Sequence, residues 1–206
     1  MRKRLYLKEN AESLMSGKEI IGGMAVLFGI ASGVVYLWQI YTHAVKPHSF
    51  SWIVWGTLAV ISFAAQWVEG AGPGAWSMGL SVLLCFTIAA SSLFHGEKSV
   101  TRGDWIAFIS ALLAIPVWRM TRDPLWAVVI VSCIDAVAFY PTFRKSWLRP
   151  HEEGLAAFSI YSLQVFLSIV ALKRYTLTIV LYPAVILFLN LTLIPMLIYR
   201  RSKVPA

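Results

Sequence analysis

The sequence has little charge and little cysteine, and it lacks the short motifs of the common enzyme classes. Only 14% of its 206 residues are charged and 2 are cysteines. Cys85 and Cys133 lie inside apolar segments, which favours buried thiols over a disulfide framework. The 4 histidines are scattered without metal-ligand spacing. There is also no nucleophile elbow or glycine-rich phosphate loop. We therefore predict no metal, no cofactor and no enzymatic activity.

Hydrophobic residues are abundant instead. They make up 58% of the chain, and the mean hydropathy is +0.69. Their runs are long enough to cross about 30 Å of hydrocarbon as helices. The net charge of +8 comes from Lys and Arg beside these runs, which indicates a membrane protein and no nucleic-acid partner. We predict a multi-pass protein of a plasma or inner membrane. Its basic residues divide evenly between the two sides, so charge leaves the orientation open.

The apolar runs predict seven membrane helices, because backbone polar groups within lipid must be satisfied inside each segment. Polar turns such as Ala71-Gly72-Pro73-Gly74 separate the runs. The seven predicted spans are residues 20–42, 50–69, 76–94, 105–120, 125–143, 155–172 and 176–199.

A doubled tripeptide indicates an internal repeat. Lys46-Pro47-His48 returns as Arg149-Pro150-His151, each between two apolar runs and 103 positions apart (151 − 48). That shift pairs spans 1, 2 and 3 with spans 5, 6 and 7. A three-helix unit ends on the side opposite its start, so span 4 must return the chain before a parallel copy begins.

The predicted fold class is thus an all-α integral membrane protein with two parallel three-helix repeats and a linker helix (3+1+3). The predicted parts are a polar segment 1–19, a first repeat 20–94, a linker 95–124, a second repeat 125–199 and a basic tail 200–206.

The layout resembles the SWEET/PQ-loop superfamily of seven-helix transporters. The family signature is a Pro-Gln pair near the end of the first helix of each repeat. Here the first copy keeps Gln39 and the second keeps Pro141. The related nicotinamide riboside transporter type has a Trp-x-x-Trp motif, and Trp52-x-x-Trp55 matches it in span 2. The resemblance implies transport, with Gln39 and Pro141 at gating or loop positions.

His48 and His151 follow the two loop prolines. They are candidates for gating or for sensing pH. Histidines in such loops are more often ordinary polar residues without a specific role.

Asp135 is the one acidic residue deep inside a predicted span. A carboxylate at that depth costs several kcal/mol unless it meets a cavity or a partner, so we take it as the leading solute-binding candidate. A protonated Asp that bonds a neighbouring helix is the alternative. The residue at the equivalent position of the first repeat is Ser32.

Asn190 lies in the middle of span 7. The resemblance to SWEET-like proteins implies a sugar-contacting Asn at this level, and Asn190 occupies that position. Its mate in the first repeat is Thr87. Gln164 and Trp55 complete the predicted site, the latter by stacking on a ring. Asn190 equally suits an interhelical hydrogen bond. An interfacial belt is the favoured reading for Trp52, whereas Trp55 lies one turn deeper and is the better candidate to face a cavity.

The sequence therefore predicts a facilitator or proton-coupled transporter for a small polar solute such as a sugar, a nucleoside or a vitamin. The alternative is a non-transporting receptor, scaffold or accessory subunit. The small solute and the lipid bilayer are the expected partners, and a homo-oligomer remains open.

Overall fold

The protein is described by a computed structural model that covers residues 2–45, 47–96, 100 and 102–204, without the side chains of residues 2–16, Asp104, Pro141, Lys145 and Glu152. Helices dominate this part of the chain, which contains no β-strand. The seven α-helices are α1 (Arg2–Tyr41), α2 (Ser49–Val68), α3 (Trp76–His95), α4 (Arg102–Thr121), α5 (Pro124–Leu148), α6 (Leu155–Val170) and α7 (Leu177–Arg201). Short 3₁₀ turns at Gly72–Ala75 and Pro150–Glu152 precede α3 and α6.

The helices fall close to the predicted spans, with the largest differences at two ends. α1 begins at Arg2, so the predicted polar segment 1–19 continues as the same helix. α5 runs on to Leu148, past the predicted end at 143. Five helices are long and apolar enough to cross a membrane, namely those within Gly17–Tyr41, Ser49–Val68, Gly72–His95, Pro124–Leu148 and Leu177–Arg201. The apolar segments Trp105–Thr121 and Leu155–Val170 are shorter.

Local chemistry explains where several helices begin. The backbone N–H of Leu125 donates to the Asp123 carboxylate at 2.9 Å, and Pro124 occupies the first helical position of α5. His48 caps α2, since its ring accepts from the backbone N–H of Ser51 at 3.3 Å. Between α2 and α3 the chain turns through Gly70 and Gly72, whose φ values of 73° and 69° favour glycine.

The first three and last three helices pack in the same pattern. α3 contacts both α1 and α2, and α7 contacts both α5 and α6. Between the two groups α1 contacts α6 and α2 contacts α5, while α4 packs against α2 and α5. The core at the centre includes Leu58, Ala111, Val131 and Tyr182.

The outer surface of the bundle is apolar. Leu27, Phe94 and Phe188 are 66%, 82% and 67% exposed. Side chains of this size facing outward in such number fit a lipid environment better than water.

The chain runs back and forth between two ends of the bundle, which we name after residues at each. At the His48 end, Gly154 lies against Gln39, and Arg201 Nε donates to the carbonyl of Pro150 at 3.1 Å. Both Pro-His loops therefore lie at this end, although Lys46 itself is outside the described residues.

At the opposite end, the Lys18 end, the Lys18 ammonium donates to the carbonyl of Leu172 and lies 5.3 Å from the ring centroid of Tyr175. The backbone N–H of Lys173 donates to Ala71 O at 2.9 Å. At this end the α6–α7 loop therefore contacts both Lys18 of α1 and the turn between α2 and α3.

Candidate functional site

Asp135 lies near the middle of α5 on its inward face. Val128, Val131 and Ser132 are buried on that same face, three to seven residues before it, as helical spacing requires. The side chain is only 5% exposed. A carboxylate in such a position needs polar partners, and the neighbouring helices supply them.

The Trp55 indole of α2 lies within hydrogen-bonding reach of the Asp135 carboxyl group. An indole has a donor and no acceptor, so its N–H is the group that can donate to the carboxyl oxygen. Trp55 in turn stacks edge-on against Trp52, with ring centroids 5.2 Å apart. The ring of Trp52 lies 5.0 Å from the ring of Tyr36 on α1. This row of rings leads from Asp135 toward the His48 end.

Three further side chains lie close enough to Asp135 to interact with it electrostatically. They are Cys85 of α3, Tyr161 of α6 and Tyr182 of α7. Asp135 and its surroundings thus draw on α2, α3, α5, α6 and α7. One carboxyl group, one indole N–H and two phenols can together bind a hydroxyl or an amine and stack on a ring.

A chain of hydrogen bonds extends from Tyr161 to Gln164. The Tyr161 side chain lies within hydrogen-bonding reach of Ser81, and Gln164 Nε2 donates to Ser81 Oγ at 3.2 Å and to Ser77 O at 3.4 Å. Gln164 is 2% exposed, and its Oε1 has no hydrogen-bond partner within the described part of the chain. An open acceptor in the core of the bundle is available to a ligand that reaches it.

Gly29 brings α1 against this amide. A Cβ built on Gly29 would stand 3.0 Å from both Cδ and Oε1 of Gln164. The glycine therefore allows a closer approach of α1 to α6 than any larger residue would permit.

The other predicted site residues bond to backbone carbonyls and not to Asp135. Asn190 is 1% exposed and donates to Ile186 O of its own helix at 3.0 Å. Ser32 Oγ donates to Ala157 O at 3.3 Å and so joins α1 to α6.

Thr87 faces away from the site. It is exposed and donates to Leu83 O of its own helix at 2.8 Å. Leu83, which shares that face of α3, is 66% exposed. Repeat symmetry pointed to Thr87 as the mate of Asn190, but the packing of α3 turns its side chain to the outside of the bundle.

The predicted loop residues occupy the His48 end. Gln39 lies against Gly154, where a Cβ would stand 3.0 Å from Gln39 Oε1. His48 Nδ1 lies 2.9 Å from Ser51 Oγ, and His151 Nε2 lies 2.9 Å from Val204 O. The side chain of Pro141 lies outside the described residues. These residues shape the loops and lie apart from Asp135.

Reasoning from sequence missed Tyr161, Tyr182 and Ser81. A signal was present for Tyr161, which precedes Gln164 by three residues and so shares its helix face. Tyr182 precedes Asn190 by eight residues, again on one face. For metal binding, the described residues bring together no group of three His, Cys, Asp or Glu side chains.

Searches against protein-family models, curated proteins and solved structures find no match for this chain. The resemblance to the SWEET/PQ-loop superfamily therefore rests on helix order and the loop motifs alone.

Proposed function

We propose that this chain is a membrane transporter for a small polar solute that binds at Asp135. The observation that carries the proposal is a buried carboxyl group on α5, next to Trp55 and surrounded by side chains of four other helices. Burying an acidic group in an apolar bundle is costly, and intramembrane acids commonly line solute or proton pathways. The aromatic row on one side and the Ser81–Gln164 chain on the other would give a solute polar contacts along the bundle.

The proposed architecture is a pair of parallel three-helix repeats with α4 between them. The matching contacts of α3 and α7 within their groups support it, as do the exchanged contacts of α1 with α6 and α2 with α5. Residues from both groups surround Asp135, so the site lies where the two units meet. A binding site at a repeat interface is the arrangement that alternating access requires.

Alternating access would also require the contacts at each end to separate in turn. At the Lys18 end the contacts across the two units are both polar and apolar. Arg174 Nη1 donates to Glu69 O at 3.4 Å beside the Lys18 and Lys173 contacts, and Ala71 and Ala75 form a buried cluster with Leu172 and Ile179. Opening this end would therefore break hydrogen bonds that water can replace and would expose that apolar cluster.

The chemistry of the site favours a solute that has hydrogen-bond donors and a ring. An amine or hydroxyl would donate to Asp135, and an aromatic or sugar ring would pack on Trp55 or the tyrosines. Nucleosides, sugars and amine-containing vitamins all fit this description.

A screen for thermal stabilisation of the purified protein tests the proposal. Ligands from these classes are added to wild type and to Asp135→Asn, and hits are then tested for uptake into proteoliposomes. A binder at one hundred times its Kd would stabilise the wild type by about 2.7 kcal/mol. A hit that binds through Asp135 but is never transported would contradict transport and identify a receptor or accessory subunit.

Proton coupling is a separable part of the proposal, and Asp135 is the candidate proton carrier. Uptake by the wild type should respond to an imposed pH gradient, and uptake by Asp135→Asn should not. If the variant keeps both its uptake and the response to the gradient, Asp135 is not the coupling group.

A further inference from the structure

A groove lies on the outer surface of the bundle between the last turns of α5 and the end of α7. Its volume is about 520 Å³, within the range of about 300–1,000 Å³ typical of small-molecule sites. One face of α5 forms most of it, since five of its lining residues follow the i, i+3, i+4, i+7, i+8 spacing of a helix face. The lining residues are Tyr140, Phe143, Arg144, Trp147, Leu148 and Met196.

Two arginines give the groove a positive rim. Arg144 lines it and has no hydrogen-bond or ion-pair partner among the described residues. Arg200 of α7 lies over the Trp147 ring, with its guanidinium carbon 4.5 Å from the ring centroid. Its Nε donates to Trp147 O at 2.9 Å, which leaves the other guanidinium nitrogens directed away from that bond. Among the described residues that line the groove, none is acidic, so none of them offsets the positive charge.

The groove lies at the depth where phospholipid headgroups meet the hydrocarbon core. A helix of twenty residues spans about 30 Å, the thickness of the hydrocarbon core. Counted from Pro124 and Leu177, that length ends at residues 144 and 197. Arg144 and Arg200 then lie at headgroup level, whereas Tyr140 and Met196 lie about one turn or less inside the hydrocarbon.

We propose that this groove is a binding site for one anionic phospholipid. The phosphate would bind the guanidinium of Arg144 and the free edge of Arg200, and an acyl chain would lie along Tyr140, Phe143 and Met196. Arginine suits phosphate because its planar fork makes paired hydrogen bonds. A soluble anion would leave the apolar floor unused, and a zwitterionic lipid would add a cation beside two arginines. The proposal rests on the membrane insertion proposed above and is independent of the solute site.

The test measures lipid binding to the whole purified protein in a neutral detergent. Dioleoyl-phosphatidylglycerol is titrated, and the thermal midpoint and the bound-lipid peaks in native mass spectrometry are recorded. Each arginine near an anionic headgroup contributes enough to shift affinity by about fivefold. Wild type should bind this lipid more tightly than dioleoyl-phosphatidylcholine, and Arg144→Gln should bind it about fivefold more weakly.

Two variants control for charge and for location. Arg144→Lys keeps the positive charge at the groove and should retain most of the binding. Arg119→Gln removes an exposed arginine from the last turn of α4, at the Lys18 end, and should leave binding at the wild-type level.

Three results would overturn the lipid site. These are equal binding of the two lipids by wild type, unchanged binding by Arg144→Gln, and equal stabilisation by inorganic phosphate. Solute uptake by Arg144→Gln separates this proposal from the transport proposal, because the groove is on the outside of the bundle. Uptake should persist when lipid binding is lost, and a failure of uptake in wild type would leave the lipid measurement unaffected.

Discussion

Replacing Asp135 with asparagine should separate stability from solute binding. The amide oxygen can still accept from the Trp55 indole, while the charge is removed. Asp135 is 5% exposed, so its charged form has lost most of its contact with water. Removing a buried charge while keeping its hydrogen-bond geometry is often neutral or stabilising. We therefore expect Asp135→Asn to unfold at the same temperature as wild type or higher.

Solute binding should respond in the opposite direction. A hydrogen bond to a charged group contributes about 1.5–3 kcal/mol, so its loss should weaken solute binding by about 10-fold to 150-fold. Asp135→Ala removes the acceptor as well, and the N–H of the partly buried Trp55 is then left without it, at a cost of up to about 1–3 kcal/mol of stability. The assay is the thermal midpoint, followed by intrinsic tryptophan fluorescence, with and without the solute.

Ser132→Ala is the matched control. Ser132 is also 5% exposed on α5, one turn from Asp135, and its hydroxyl has no partner within the described part of the chain. Its removal should leave the thermal midpoint unchanged and the solute affinity within about twofold of the wild-type value, because no hydrogen bond is lost. If Asp135→Asn behaves like Ser132→Ala in solute affinity, then Asp135 is a structural group and the assigned site is wrong.

Further predictions concern helix packing, capping and the outer face. Gly22→Ala should lower stability by about 1–3 kcal/mol, since its Cβ would stand 2.7 Å from that of Pro73. Its neighbour Gly23 has nothing within 4 Å, so Gly23→Ala should stabilise by about 0.5–1 kcal/mol, and equal thermal midpoints for the two would refute the packing at the Lys18 end. His48→Ala should cost about 0.5–2 kcal/mol through loss of the α2 cap, and His48→Asn should restore most of it in the same unfolding assay. Thr87→Val should leave solute uptake unchanged, and a tenfold loss would place Thr87 in the pathway.

Helix positions could be read closely from the sequence because hydrophobic runs and turn residues are local signals. α2 and α3 begin and end within one residue of the predicted spans. The errors fell where local signals are weak. The segment before Gly17 is polar yet lacks proline, so nothing in it stops α1 from extending back to Arg2. Likewise, no breaker interrupts α5 between Phe143 and Leu148.

The candidate site could be predicted only in part. Asp135 was identifiable alone, because an acid inside an apolar run is unusual wherever the run packs. Its partners were not, since the side of each helix that faces the centre depends on rotation about the helix axis. Symmetry paired Thr87 with Asn190, yet the structure buries one and exposes the other. Equivalent positions in two repeats need not meet equivalent neighbours once α4 packs between α2 and α5.

The sequence by itself determined the helical class, the number of apolar segments, the doubled Pro-His loop and the unusual position of Asp135. These follow from composition and spacing, which act over a few residues. Only the tertiary structure decided that Trp55 and Tyr161 lie near Asp135, that Ser81 bonds Gln164, and that Arg144 and Arg200 flank one groove. Those contacts join residues far apart in the chain. They depend on how helices rotate and pack, and a side-chain pattern along a single segment does not encode that.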